Sequence, residues 1–164
     1  MEGSFEPYLA DYTIGDNQGN TPLRLACLNW GSNCEIMAAL LAGHGQPPEA
    51  SNENGAAPSA TAFGVPLLRQ QNNDGASPLV RACTIGKESY VKFLLEKGAD
   101  PNTRDNHGTT PLLAASDGWG GSSDDAGILD LPFVHGADVT TKDEHGWTIE
   151  QIAQSRGYLS GCRI

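Results

Sequence analysis

Glu96–Ala115, EKGADPNTRDNHGTTPLLAA, contains a pattern that returns elsewhere in the chain. It reads Ala-Asp, a glycine eight residues after the aspartate, then Thr-Pro-Leu and an alanine. Ala10–Ala26, ADYTIGDNQGNTPLRLA, repeats it upstream, and Gly136–Ala153, GADVTTKDEHGWTIEQIA, repeats it downstream with Thr-Ile-Glu in place of Thr-Pro-Leu. Aligned on glycine, Gly19, Gly75, Gly108 and Gly146 each lie two residues before Thr21, Ser77, Thr110 and Thr148, and seven before Ala26, Ala82, Ala115 and Ala153. Asp11, Asp100 and Asp138 stand eight residues ahead of three of these glycines; Gly75 lacks the match because an insert lies there. The glycines are 56, 33 and 38 residues apart.

The residue types in this pattern have physical reasons. A Thr or Ser hydroxyl caps a helix by accepting a bond from a free backbone N–H. Pro22, Pro78 and Pro111 then suit the first helical position, where the missing N–H costs nothing. Leu23, Ala26 and Cys27 share one helical face, as do Leu79, Ala82 and Cys83, and Leu112, Ala115 and Ser116. Small residues there let helices pack closely, so Cys27 and Cys83 read as core rather than as nucleophiles. A second helix follows, with Val91, Leu94 and Leu95 as its apolar face and Met37, Leu40 and Leu41 as their counterparts. Gly45, Gly98 and Gly136 end these second helices. The link from Ala99 to Gly108 is expected to be a hairpin whose glycine supplies a positive φ.

A 33-residue period carrying Thr-Pro-Leu resembles the ankyrin repeat, and Asp74–Asn102, DGASPLVRACTIGKESYVKFLLEKGADPN, is similar to a whole unit without a gap. The resemblance covers residues 10–158, with two insertions. It implies an all-α repeat fold, an α-solenoid of stacked helix-turn-helix units with β-hairpin fingers. The units are placed at 16–45, 73–102, 105–140 and 143–158, the last incomplete, with a flexible insert at 46–70 and a tail at 159–164.

The chain departs from the family pattern in several places. The slot after Thr-Pro-Leu, usually histidine, holds Arg24, Val80, Leu113 and Gln151. The bonds that histidine makes in relatives are therefore expected to be missing, and stability to fall below that of an idealised array. Gln46–Gln70, rich in Pro, Ala, Asn, Ser and Gly, is expected to be a loop. Ser116–Asp125, SDGWGGSSDD, lengthens the link inside the third unit. Pro132 stands where the second unit has Leu94; an interior proline costs about 3 kcal/mol, so a short or bent helix is expected. Glu150 occupies the core leucine position of the last unit. Two readings of that end stay open: a polar cap, or a chain that is part of something longer.

The net charge of −10 and pI of about 4.6 argue against nucleic acid or an anionic membrane as partner, since phosphate binding needs Lys and Arg. They allow a basic protein partner, and they also serve solubility. No apolar run reaches the ~18 residues of a membrane helix. Cys27, Cys34, Cys83 and Cys162 form no Cys-x-x-Cys and are read as free thiols. The cytoplasm or nucleus is the expected compartment. No metal or cofactor is expected: His107 and His145 are equivalent by repeat, and His44 and His135 end second helices. Asp124-Asp125 and Asp143-Glu144 read as solvated charge, and no nucleophile or phosphate-loop motif is present.

The resemblance implies a non-catalytic protein-interaction module, monomeric, that binds a protein through its fingers and the concave face of its first helices. Carried residue by residue, the finger positions include Asn20, Asp74, His107, Thr109, Glu144, His145 and Trp147, with Asn17, Gln18, Asn73, Ala76 and Asn106 beside them. Trp147 is the leading candidate anchor, since Trp is enriched at hot spots; the alternative is a ring lying on its own finger. Trp119, in the glycine-rich link, is either a further partner contact or local packing. Trp30 reads as structural. Asn102 matches the spacing favoured for asparagine hydroxylation in ankyrin relatives, apart from Pro101; a structural finger asparagine is the alternative. The other functional reading is a piece of a larger multidomain enzyme, receptor or ligase adaptor, with the array as its targeting or regulatory part.

Overall fold

The computed structural model describes residues 12–27, 34–43, 65–117 and 126–155. These residues contain α1 (Pro22–Ala26), α2 (Cys34–Gly43), α3 (Val65–Arg69), α4 (Pro78–Ile85), α5 (Glu88–Glu96), α6 (Pro111–Asp117), α7 (Ala126–Val134) and α8 (Ile149–Ser155). Helix pairs α1–α2, α4–α5 and α6–α7 each pack together. The first helices then stack in the order α1, α4, α6, α8, and the second helices in the order α2, α5, α7. This is a two-layer α-solenoid, in which each unit buries its apolar face against its neighbours. Among the described residues there is no β-strand, only an isolated antiparallel bridge between Lys142 and Thr148. The expected hairpins take the form of tight turns.

The core follows the repeated apolar positions. Leu23, Cys27, Met37, Leu79, Cys83, Val91 and Leu94 are all buried. Burying one such leucine contributes about 1.5–3 kcal/mol, so the stacked layers dominate stability. Burial raises the thiol of Cys27 to about 12 and pushes that of Cys83 up as well, which suits a packing role for both.

The hydroxyl caps are not uniform. Ser77 Oγ accepts from Val80 N at 3.3 Å, and Thr110 Oγ1 from Leu113 N at 3.3 Å. At α8, Thr148 Oγ1 accepts from Gln151 N at 3.5 Å while Gln151 Oε1 accepts from Thr148 N at 2.9 Å, a reciprocal capping box. Thr21 differs: it makes no side-chain cap, and its Oγ1 is buried without a hydrogen-bond partner.

The slot after Thr-Pro-Leu is filled in three ways; side-chain bonds are missing in two copies, as expected, and are made by other residue types in the other two. Arg24 is buried, and its Nη1 donates to the carbonyls of Ala76 and, at 3.5 Å, Ser77, joining the first unit to the second. Its pKa lies below the ordinary arginine value because of burial, reinforced by the like charge of Arg81. Val80 and Leu113 are buried apolar packing. Gln151 forms the capping box.

Two further expectations change. The insert 46–70 ends in α3, with Leu67 and Leu68 buried against α4, so its last residues are core rather than loop. Its earlier part, 46–64, lies outside the described residues. Helix α7 continues through Pro132 and keeps the nine-residue length of α5. Pro132 stands late in the helix and is itself buried, so the lost bond is confined to the carbonyl of Ile128. Glu150 is exposed, and the buried contact of α8 is made by Ile152.

Candidate partner-binding surface

Each repeat glycine closes a turn with the same internal wiring. In the first turn Gly19 N donates to Asp16 O at 2.8 Å and Asp16 N to Asn20 O at 3.1 Å. The third repeats this with Gly108 N to Asp105 O and Asp105 N to Thr109 O; the fourth with Gly146 N to Asp143 O and Asp143 N to Trp147 O. A side chain at the turn's first position completes it. Asp105 Oδ1 accepts from His107 N at 2.9 Å and Thr109 N at 2.8 Å, and Asp143 Oδ1 from His145 N at 2.9 Å and Trp147 N at 2.8 Å. Asp16 and Asn72 do the same in the first and second turns. This is a type I-like turn with Asp or Asn at its start and a left-handed glycine at its end. The wiring was readable as Asp or Asn three residues before each glycine, a signal the glycine alignment passed over.

The turns are also tied to one another, up to a point. Asn73 N donates to Gln18 O at 3.0 Å, and Asn73 Nδ2 to Asn17 O at 3.1 Å. Asn106 N donates to Asp74 O at 2.9 Å, and Asn106 Nδ2 to Asn73 O at 3.0 Å. The asparagines sit tightly on the preceding glycines: a Cβ on Gly75 would lie 2.5 Å from Asn106 Oδ1 and 2.8 Å from Asn106 N. In the fourth turn the equivalent residue is Glu144. A carboxylate has no N–H to donate and places charge against carbonyl oxygens. Among the described residues no hydrogen bond joins the third turn to the fourth. A Cβ on Gly108 would meet nothing within 4 Å.

Between these two turns lies a cavity of about 620 Å³. His107 and Thr109 line it from the third turn; Asp143, Glu144, His145 and Trp147 line it from the fourth. Leu113 of α6 and Ile152 of α8 contribute apolar surface. Trp147 is 46% exposed. Glu144 Oε1 and His145 Nδ1 stand 3.7 Å apart, both well exposed. The volume falls within the range of about 300–1,000 Å³ common for ligand pockets.

Of the sequence-selected residues, His107, Thr109, Glu144, His145 and Trp147 thus meet around one cavity. Asp74 is exposed on the second turn, where its Oδ2 accepts from Asn72 Nδ2 at 3.1 Å. Asn20 is buried at 8% exposure, and its amide donates to Asp16 Oδ2 and Gln18 Oε1, so it is spent inside its own turn. Trp119, Trp30 and His44 lie outside the described residues. Asn102 has both ends of its amide engaged: Nδ2 donates to Gly136 O at 3.1 Å, and Oδ1 accepts from Asp138 N at 2.7 Å. The Ala-Asp motif has a visible purpose too. Asp100 Oδ1 accepts from Asn102 N, and Asp138 Oδ1 from Thr140 N, each at 2.9 Å. Among the described residues no group of three or more His, Cys, Asp and Glu side chains is arranged to hold a metal ion, and no helix is long and apolar enough to cross a membrane.

The stacked helix pairs and glycine-closed turns define a helical repeat protein. A family model for ankyrin repeats, three copies, matches residues 50–143, and the chain belongs to the ankyrin-repeat family. It is 42% identical over 85 residues to a putative ankyrin repeat protein of Rickettsia felis, covering 49% of this chain and 37% of the relative. It is 38% identical over 78 residues to ankyrin repeat and SAM domain-containing protein 6 of Rattus norvegicus, covering 47% of this chain and 8% of the relative. It is 29% identical over 145 residues to the B-cell lymphoma 3 protein homolog of Mus musculus, covering 88% of this chain and 27% of the relative. The match thus spans well under half the length of each of these relatives. Ankyrin repeats are in general protein–protein interaction modules.

Proposed function

We propose that this chain is a protein-interaction module without catalysis of its own, and that it binds a protein partner through its turns and the adjoining face of the first helices. The observation that carries this reading is the convergence of His107, Thr109, Glu144, His145 and Trp147, from two separate turns, around one cavity. A half-exposed tryptophan beside apolar surface suits an interface anchor, since burying it on binding gains apolar area at little conformational cost. The net charge of −10 supports a partner with basic character. Cys27, Cys34 and Cys83 stand as free thiols, which supports a reducing compartment such as the cytoplasm or nucleus.

The test is affinity capture from native lysate, read by mass spectrometry. Wild type is run beside a variant carrying Trp147→Ala, His107→Ala and Asp74→Ala. A partner held by wild type and lost by the folded variant supports the reading. Partners retained equally by both would count against the turn surface.

A second reading makes the array the targeting or regulatory part of a longer multidomain protein. The shares of 8, 27 and 37% that the matches occupy in the three relatives support it. Reading the transcript on both sides of the coding sequence distinguishes the two: an in-frame continuation favours the longer protein.

A further inference from the structure

We propose that the cleft between the third and fourth turns docks an extended segment of a protein partner that presents a lysine or arginine side chain next to an apolar one. The inference rests on the interaction-module reading and specifies where on the surface, and by what chemistry, the partner is held.

Three observations lead to it. First, the cleft exists where the tie between turns is broken. Asn73 and Asn106 fill the space beneath Gly19 and Gly75, whereas a Cβ on Gly108 would meet nothing within 4 Å. The same substitution that removes the amide tie therefore opens room for another chain. Second, the charge at the opening is of one sign. Asp143 and Glu144 border the cleft, and among the described residues no lysine or arginine lines it. Part of the Asp143 charge is met by two backbone N–H groups. Among the described residues Glu144 has only His145 paired with it, at 3.7 Å, and its side chain is 62% exposed. It is the carboxylate left to pair with an incoming cation. Third, the wall is apolar next to that carboxylate. Trp147 keeps much of its ring in solvent beside Leu113 and Ile152. Such a face takes an aliphatic side chain, or the methylene stem of a lysine whose ammonium reaches Glu144.

The experiment uses the full chain and a phage-displayed library of random nine-residue peptides. Selected peptides are synthesised and titrated by fluorescence anisotropy against wild type, Glu144→Gln, Glu144→Asn, Trp147→Ala and, as a control away from the turns, Glu96→Gln on α5, each first checked for wild-type circular dichroism. The expected result is enrichment of peptides with Lys or Arg adjacent to an apolar residue. Their affinity should fall roughly tenfold or more in Trp147→Ala and Glu144→Gln, fall likewise in Glu144→Asn, and stay within about twofold in Glu96→Gln. Several outcomes overturn the proposal. One is no enrichment; another is peptides without a basic residue. Binding that the Glu144 variants leave unchanged would also overturn it, while leaving the interaction-module reading in place. Sedimentation showing a dimer that Trp147→Ala dissociates would assign the cleft to a second copy of the chain and likewise overturn it.

Discussion

The junction of the second and third turns and that of the third and fourth are built from the same part and end differently. In both, an Asp or Asn at the turn's first position binds two backbone N–H groups and a left-handed glycine closes the turn. At the first of these junctions Asn106 ties back to Asp74 and Asn73 and rests against Gly75. At the second, Glu144 makes no such tie, and a cavity takes its place. The difference shows that turn formation and turn stacking are separate problems. The first is solved within five residues; the second depends on one side chain that must donate, fit and carry no charge.

The glycines give the largest expected contrast. Gly75→Ala combines a φ of 76° with a Cβ placed 2.5 Å from Asn106 Oδ1, and should cost about 3 kcal/mol or more. Gly108→Ala meets the same backbone strain, at φ 78°, with nothing within 4 Å, and should cost about 1–2 kcal/mol. Urea unfolding of both variants checks this; equal losses would show that the closed junction is no tighter than the open one.

The ties themselves come next. Asn106→Ala removes an exposed amide bond to Asn73 O and should cost about 0.5–1 kcal/mol. Glu144→Asn supplies the missing amide and should gain up to about 1 kcal/mol. If Glu144→Asn is no more stable than wild type in the same urea titration, charge and donor alone do not account for the open junction.

The helix caps provide a smaller contrast. Ser77→Ala loses the bond to Val80 N and should cost about 1 kcal/mol. Thr21→Val replaces a buried, unpaired hydroxyl with a methyl of similar shape, and should be neutral or stabilising by about 0.5–1 kcal/mol. Melting temperatures moving in the same direction would refute the distinction.

Acid titration gives the smallest effect. The side-chain bond from Asn20, then its backbone bond, holds the Asp16 carboxyl below its ordinary value of 3.8. Because the folded value is the lower one, the stabilisation is complete above about 3.8 and is lost as pH falls through the folded value. Trp147, at the matching position of the fourth turn, reaches the Asp143 carboxylate through its backbone N–H and has no side-chain amide to add. Asn20→Ala should therefore raise the Asp16 pKa toward 3.8 in an NMR titration of the carboxyl carbons; an unchanged Asp16 would show that the amide does not hold it down.

Much of this was legible in the residues. The repeat fixed the helix order and the buried leucines, because a face that recurs at helical spacing has to be covered wherever it occurs. It also marked five of the residues that line the cavity. Other features escaped. Leu67 and Leu68 were hidden inside a stretch whose Pro, Ser and Asn content reads as loop, although two adjacent leucines suffice to seat α3 on α4. The Arg24 bonds escaped because their acceptors lie 52 and 53 residues away and are backbone carbonyls, which leave no mark on the sequence. Asn20 looked like a surface residue because polar residues near turns usually are; its amide is instead folded back onto Asp16.

The sequence by itself determined the period, the turns and the family, since each depends on contacts among residues close together in the chain. It also placed Glu144 where the other turns carry asparagine. Only the tertiary structure decided what that exchange does. Whether a glycine faces a neighbour's amide or open space depends on how two units stack, and that distance is set by packing between helices far apart in sequence.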